Sequence, residues 1–350
     1  MSCPIFVFRK IMGMRLFSFL LCTIVLFLGC KPKNSPTNAT FVVAFGSCNM
    51  SQEPNPFWDD ILAAKPDVWI WGGDIVYADT DNIERLRAIY AQQDTVKGYA
   101  ALKAEVPIIG TWDDHDFGVN DGGAEFAVKK ESLQVFLDFM GAPKDSERRS
   151  QEGVYTSHDY ETPEGKVKIL ILDTRYFRSE LVRDENPDRR YKPNRDEEAT
   201  VLGEGQWKWL QTELNNSDAD FNLIMSSIQF LSGEHGFETW GNFPKEVEKL
   251  ENMIVDSKAK GVMVLSGDRH ISEFSKKVLP GMPYPLIDFT SSGLTHSYFS
   301  FSGEPNRYRV GEVVSSKSYG TITINFKNKK VDFKIMGDDG VVLQGLKQTY

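Results

Sequence analysis

Cysteine is scarce in this chain. The 350 residues hold four, Cys3, Cys22, Cys30 and Cys48, and only Cys48 lies beyond residue 30. A body with one thiol has no internal disulfide to brace it. Cys48 is therefore either a small buried hydrophobe or a metal ligand, and its place in the fold has to decide. Positive charge is short as well. Forty lysines and arginines face forty-nine acids, a formal net charge of −9. Losing the three positive charges of residues 1–29 (Arg9, Lys10 and Arg15, with no acid) takes it to −12. That balance argues against general nucleic-acid binding, which needs a basic face, and suits hard cations. Long apolar runs are also missing: Leu16–Leu28 falls short of the roughly 20 residues of a bilayer span. No internal repeat, low-complexity block or clear linker divides the body, which reads as one catalytic domain.

What is present begins with a targeting segment. A basic region precedes the Leu16–Leu28 apolar core, and Phe27-Leu28-Gly29-Cys30 resembles a bacterial lipoprotein box with Cys30 as the acylated residue. Residues 1–29 are expected to be a signal peptide of lipoprotein type. Residues 30–40, rich in Pro, Asn, Thr and Lys, are expected to be a tether. The expected product is exported and held at a membrane by lipid on Cys30. The alternative is a plain signal peptide cut nearby, giving a soluble periplasmic or secreted protein.

The body reads as strands alternating with helices. Strands are expected at 41–45, 68–71, 106–109, 167–172, 221–225, 262–265, 286–290, 321–326 and 331–336. Helices are expected from Asn55-Pro56 to Ala64, and at 83–90, 125–140, 204–214 and 245–257. This alternation indicates α/β layers with much parallel sheet, whose functional loops gather at the carboxyl ends of the strands. Ser179–Glu198, dense in Arg, Asp, Glu and Pro, reads as a long surface excursion.

Three acid-rich runs fall at such strand ends: Gly72-Gly73-Asp74-Ile75-Val76-Tyr77, Thr111-Trp112-Asp113-Asp114-His115-Asp116, and Ser266-Gly267-Asp268-Arg269-His270. Crowded acids repel unless a cation or donors compensate, and a divalent ion is the simplest compensation. Asp268 and His270, two apart in an extended segment, project to one side. Cys48 follows the first strand, and its thiolate suits iron or zinc better than calcium or magnesium. Against this stand ordinary readings: a turn before a core tyrosine, a solvated acidic turn, a surface histidine. His158 is expected near a turn and exposed, His235 on a loop at the substrate mouth, and His296 behind the site. Trp207 and Trp209 read as packing.

The runs also form an ordered series: Phe45-Gly46-Ser47-Cys48, Gly73-Asp74-Ile75-Val76-Tyr77-Ala78-Asp79, Thr111-Trp112-Asp113-Asp114-His115-Asp116-Phe117-Gly118, Leu172-Asp173-Thr174-Arg175-Tyr176, Gln206-Trp207-Lys208-Trp209-Leu210, Ser266-Gly267-Asp268-Arg269-His270 and Ser291-Ser292-Gly293-Leu294-Thr295. This series resembles the PhoD-like alkaline phosphatases and phosphodiesterases, within the calcineurin-like metallophosphoesterase superfamily. The resemblance covers nearly all of the body and assigns 41–350 to such a domain. It implies a four-layer α-β-β-α sandwich and a cluster of Fe(3+) with Ca(2+), or another divalent metal. Cys48, Tyr77 and His270 take the place of iron ligands, Asp74 of the bridge, and Asp114 and Asp268 of ligands to the second metal. His115 takes the place of the phosphate-facing histidine, with Asp116 beside it as a catalytic candidate and Asn120 and Asp121 as accessory groups. Arg175 or Arg269 could meet phosphate oxygens, although Arg175 could equally pair with Asp173 or another acid. The superfamily's further histidine is missing after the middle strand, where Ser227 or Gln229 stands instead. Family members often carry an N-terminal β-domain, and only the tether precedes Phe41 here.

The implied activity is an exported, metal-dependent phosphoric ester hydrolase, in which a metal-activated hydroxide attacks phosphorus and His115 serves the departing oxygen. The partners are a phosphate-ester substrate and, through the anchor, a membrane. The alternatives are a phospholipase D-like lipid phosphodiesterase, a carboxylate-pair glycosidase, and a non-catalytic surface binding protein that kept the fold.

Overall fold

The computed structural model describes residues 40–350. The signal peptide, Cys30 and nearly all of the tether lie outside the described residues. Thr40 belongs to the first strand, not to the tether.

Strands in chain order are β1 (Thr40–Gly46), β2 (Val68–Gly72), β3 (Ile108–Thr111), β4 (Thr156–Thr162), β5 (Gly165–Ile171), β6 (Val182–Arg183), β7 (Tyr191–Lys192), β8 (Phe221–Met225), β9 (Val262–Ser266), β10 (Ser272–Lys277), β11 (Leu286–Ser291), β12 (Arg309–Val314), β13 (Tyr319–Asn325), β14 (Lys330–Met336) and β15 (Val342–Thr349). The helices are α1 (Trp58–Ala63), α2 (Ile83–Asp94), α3 (Lys97–Glu105), α4 (Asp114–Phe117), α5 (Lys129–Phe139), α6 (Gly203–Asn215) and α7 (Pro244–Ser257). Six strands form one sheet in the order β15-β14-β13-β1-β2-β3, and seven form a second in the order β12-β10-β11-β9-β8-β5-β4. β1, β2 and β3 run parallel in the first sheet, as do β5, β8, β9 and β11 in the second. β6 and β7 make a separate small hairpin inside the 179–198 excursion.

Alternation along the strands explains the layering. In β2, Val68 and Ile70 face the second sheet, and Trp69 and Trp71 face the helices. Met263 and Leu265 of β9 likewise join the inter-sheet core, while Val262 and Val264 pack under α6 and α7. Strands buried on both faces read as continuous apolar runs. The result is the expected α-β-β-α sandwich, with α1, α2, α3 and α5 on one outer face and α6 and α7 on the other. No helix among the described residues is long and apolar enough to cross a membrane.

Several expectations shift. α1 starts at Trp58 because Asn55 uses its side chain on the Phe57 N–H, 3.0 Å away, in a turn ahead of the helix. The strand expected from Val106 begins at Ile108, since α3 runs through Glu105 and Pro107 breaks the pattern. β10, Ser272-Glu273-Phe274-Ser275-Lys276-Lys277, is a strand the sequence analysis does not include. Its Glu273 is enclosed, held by Arg309 at 2.6 Å. His158 lies not in a turn but within β4, half-buried.

Candidate metal centre

The parallel strands of both sheets end at one edge. The sheets come so close there that a Cβ on Gly267 would sit 2.6 Å from the Gly72 carbonyl oxygen. Only glycine allows that approach. The loops after β1, β2, β3 and β9 therefore share one small volume.

Cys48 Sγ lies 3.3 Å from Asp74 Oδ2. The Tyr77 hydroxyl is 3.3 Å from the same oxygen and 3.0 Å from His270 Nε2. One donor atom each from Cys48, Asp74 and His270 falls within 4.8 Å of the others. Ser292 supports the group: its Oγ is 3.0 Å from Cys48 Sγ and accepts the His270 N–H at 2.8 Å. The backbone is strained at this spot. Cys48, Asp74, Asp268 and His270 have φ of 60°, 49°, 69° and 55°. A non-glycine residue in this left-handed region costs on the order of 1 kcal/mol or more, and such residues concentrate at functional sites.

A second group adjoins the first. Donor atoms of Asp74, Asp114 and His115 cluster within 4.8 Å, as do those of Asp113, Asp114 and Asp268, and those of Asp114, Asp121 and Glu238. Asp114 is common to all three, and Asp74 joins this group to the thiol group. Asp113 Oδ1 is occupied by Arg175 Nε at 2.5 Å and by the Ser227 hydroxyl at 2.6 Å. Its Oδ2 is buried and has no hydrogen-bond partner among the described residues.

His115 stacks on Tyr77, with ring centroids 4.2 Å apart. Asp79 holds its Nδ1 through both carboxylate oxygens, at 2.8 and 2.9 Å. Burial alone would lower the His115 pKa, but Asp79, Asp74 and Asp114 outweigh it and push it up to about 10. With Nδ1 taken, Nε2 is the nitrogen left to carry a transferable proton.

The donor chemistry fits bound cations. Burial, Cys48 and Asp114 push Asp74 well above the usual carboxylate range, and burial with Asp113 and Asp114 does the same to Asp268. Burial pushes the Cys48 thiol up to about 12. A cation among these groups relieves both the repulsion and the desolvation. Burial, His296 and Arg269 push His270 down to about 3, which keeps it as the neutral imidazole that coordinates metals. The thiol, phenol and imidazole group suits a transition metal, and the all-carboxylate group suits a hard divalent ion.

The family model of the PhoD-like phosphatases matches residues 41–344. The chain belongs to this family. Alkaline phosphatase D of Bacillus subtilis (strain 168) is 24% identical over 212 residues, which cover 56% of this chain and 36% of that protein. The match thus spans about a third of that relative's length. The solved structure of PhoD superimposes with a TM-score of 0.70 at 19% identity, over 89% of this chain and 68% of that one. A dimetal phosphatase from Danio rerio gives 0.55 at 14% identity, over 89% and 99% of the two chains. GAP50, described as the anchor in the inner membrane complex of Plasmodium, gives 0.58 at 13% identity, over 89% of each. At these identities the structural likeness bears on the fold alone.

In this PhoD-like chain, Cys48, Asp74, Tyr77, Asp114, His115, Asp268 and His270 all meet at the strand ends. Asp116 does not join them. Its Oδ2 accepts the Ile75 N–H and the Tyr90 hydroxyl, at 2.9 and 3.1 Å, and its Oδ1 accepts the Asp113 N–H at 2.6 Å. The catalytic role expected of Asp116 gives way to that of a strut between two ligand loops. Gln229 also faces elsewhere, bonding Glu273 and Thr290 at 2.9 Å each, so Ser227 is the residue of that pair at the site. Arg175 is fully buried between Asp113 and Glu238, not open to a phosphate. Arg269 pairs with Glu304 at 2.7 Å and lies over the Phe237 ring. Asn120 is exposed. His235, expected at the mouth, is buried, with Nδ1 accepting the Phe237 N–H at 3.1 Å. His296 packs edge-on against Tyr77 and His270, as expected of a residue behind the site. Sequence reasoning missed Asp79, Glu238 and Ser292. Asp79 closes the Gly73–Asp79 run, and its spacing from Asp74 was the available signal; nothing local marks Glu238.

Proposed function

We propose that this chain is a metal-dependent phosphoric ester hydrolase. The fold does not decide it, since the same architecture serves a protein described as an anchor. The observation that carries the reading is the double donor set, with Asp74 shared between a thiol–phenol–imidazole group and an acid group. Family membership supports it.

Cys48, Tyr77, His270 and Asp74 would hold one ion, and Asp74, Asp114 and Asp268 the other. Two such ions would supply charge to clamp a phosphoryl group and lower the pKa of an attacking water. Asp79 fixes the tautomer and direction of the His115 ring. His115 holds a proton at Nε2 for the departing alcohol oxygen. Arg175 keeps Asp113 in place while remaining out of contact with substrate. The sulfur and phenol donors support Fe(3+) at the first position, and the carboxylates support Ca(2+) or another divalent ion at the second. The basic region, apolar core and Cys30 box support export and a lipid anchor.

The test is turnover of 4-nitrophenyl phosphate and bis(4-nitrophenyl) phosphate by protein loaded with iron and calcium, with and without chelator. No turnover of either substrate by protein with both metals bound would sink the reading. A visible charge-transfer band that disappears in Tyr77→Phe supports the iron position. Mass spectrometry of the membrane-extracted N-terminus tests Cys30.

A further inference from the structure

Asp114 is held by one backbone donor at each carboxylate oxygen. Its Oδ1 accepts the His115 N–H at 2.9 Å, and its Oδ2 accepts the Asp121 N–H at 2.6 Å. The first donor is its own chain neighbour. The second comes from the loop after α4, and that loop has to be held for the bond to point the carboxylate anywhere. Asp121 has φ of 54°, in the left-handed region, which persists only where the surroundings enforce it.

The surroundings that enforce it come from the 179–198 excursion. The Tyr191 hydroxyl donates to Asp121 Oδ2 at 2.6 Å, and Arg190 Nη1 donates to the same oxygen at 2.8 Å. Arg178 Nη2 donates to the Asp121 carbonyl. Hydrogen bonds to an ionised oxygen are among the stronger ones. Tyr191 is buried at 3% exposure, whereas Arg190 is 44% exposed at its side chain, so the hydroxyl is the better shielded of the two donors.

The hairpin of β6 and β7 is itself anchored. Arg183 lies opposite Tyr191 in its register, and the Arg183 guanidinium stands 4.8 Å from the centroid of the Tyr191 ring. The Arg190 and Tyr191 N–H groups both donate to the Gly236 carbonyl at 2.9 Å. The Asn194 N–H donates to the Asn242 carbonyl at 2.7 Å. Two bonds therefore join a rigid hairpin to Asp114: Tyr191 to the Asp121 side chain, and the Asp121 N–H to the Asp114 carboxylate.

We propose that Tyr191, assisted by Arg190, is a positioning residue for the second metal, acting through Asp121 to aim the Asp114 carboxylate. The proposal rests on the metal assignment above. It gives the excursion a part in holding the divalent ion, and no part in holding the transition metal, to which Tyr191 has no such path. Partners that orient a ligating side chain typically contribute a factor of about 10–100 to metal affinity.

The experiment titrates calcium, and in parallel manganese, into the full chain already loaded with iron, with the heat of binding as the readout. Tyr191→Phe keeps the ring and removes only the hydroxyl. It is expected to weaken divalent binding by about 10–100-fold, while iron content and the visible charge-transfer band stay at wild-type values. Arg190→Gln, at a half-exposed position, is the second variant and is expected to weaken the same binding by about two- to fivefold. Unchanged divalent affinity in both variants overturns the proposal and leaves the metal assignment standing. Equal loss of iron and divalent ion in Tyr191→Phe also overturns it, because the hydroxyl would then brace the whole edge of the fold. If the iron-loaded wild-type chain binds neither divalent ion, the metal assignment and the proposal fall together.

Discussion

Arg175 Nε lies 2.5 Å from Asp113 Oδ1, and neither side chain is accessible to solvent. The same guanidinium reaches Glu238 Oε2 at 2.6 Å. One buried cation thus ties the loop after β3 to the loop before α7. Removing one member of a buried pair costs about 3–5 kcal/mol, because the other charge is left without compensation. Arg175→Met is expected to lower stability by that amount, read as the urea midpoint of the purified protein. A midpoint equal to wild type would show that the acids find another partner.

Gly73 has φ of +96°, and a Cβ there would stand 2.5 Å from Asp113 Cβ and 3.1 Å from the Asp113 nitrogen. The clash is with the carboxylate loop itself, so it cannot be relieved by a flexible tip. Gly73→Ala is expected to displace Asp113 and Asp114, at a cost of about 1–3 kcal/mol, and to weaken metal binding. Metal content after dialysis against a weak chelator reads this directly; full retention speaks against the assigned ligand positions.

His115 and Asp79 act as a pair, with Nδ1 2.8 Å from the carboxylate. His115→Ala is expected to reduce turnover by roughly 10²–10⁴ while metal content stays at the wild-type level. Asp79→Asn should lose less, roughly tenfold or more, because the ring remains but its orientation relaxes. A fully active His115→Ala protein would remove the proton-carrying role.

His158 offers a pH test away from the metals. Burial and Arg148 push its pKa down to about 4, with Asp159 opposing. Between that value and the ordinary 6.5, the unfolded chain binds a proton that the folded chain refuses. Stability is therefore complete above about pH 6.5 and falls as the pH drops towards 4, by an amount on the order of 1–3 kcal/mol. His158→Gln should flatten that part of the profile in urea titrations at pH 4.5 and 7.5. An unchanged acid-side slope would assign the loss to other groups.

Much of the site was legible because its residues stand directly after strands whose apolar runs are unmistakable. Asp74 and Asp268 follow β2 and β9, and Cys48 follows β1. The same alternation made the four layers readable, since Val68 and Trp69 face opposite ways whatever the rest of the chain does. Less was legible where polar residues are buried in partnership. β10 escaped notice because Glu273 is satisfied by Arg309, thirty-six residues away. Asp116 looked like a member of the acid group because sequence spacing says nothing about which hydrogen-bond donors will surround a carboxylate.

Local sequence by itself determined the strand-end placement of the thiol, the acids and His115, because hydrophobic periodicity and turn residues are short-range properties. Only the tertiary structure decided which carboxylates face one another and which are neutralised. Arg175 is taken by Asp113 and Glu238 rather than offered to a phosphate, and Asp79 is brought to His115 across thirty-six residues of chain. Electrostatic partnership depends on distance through space and on exclusion of water, and both are set when the two sheets close on each other.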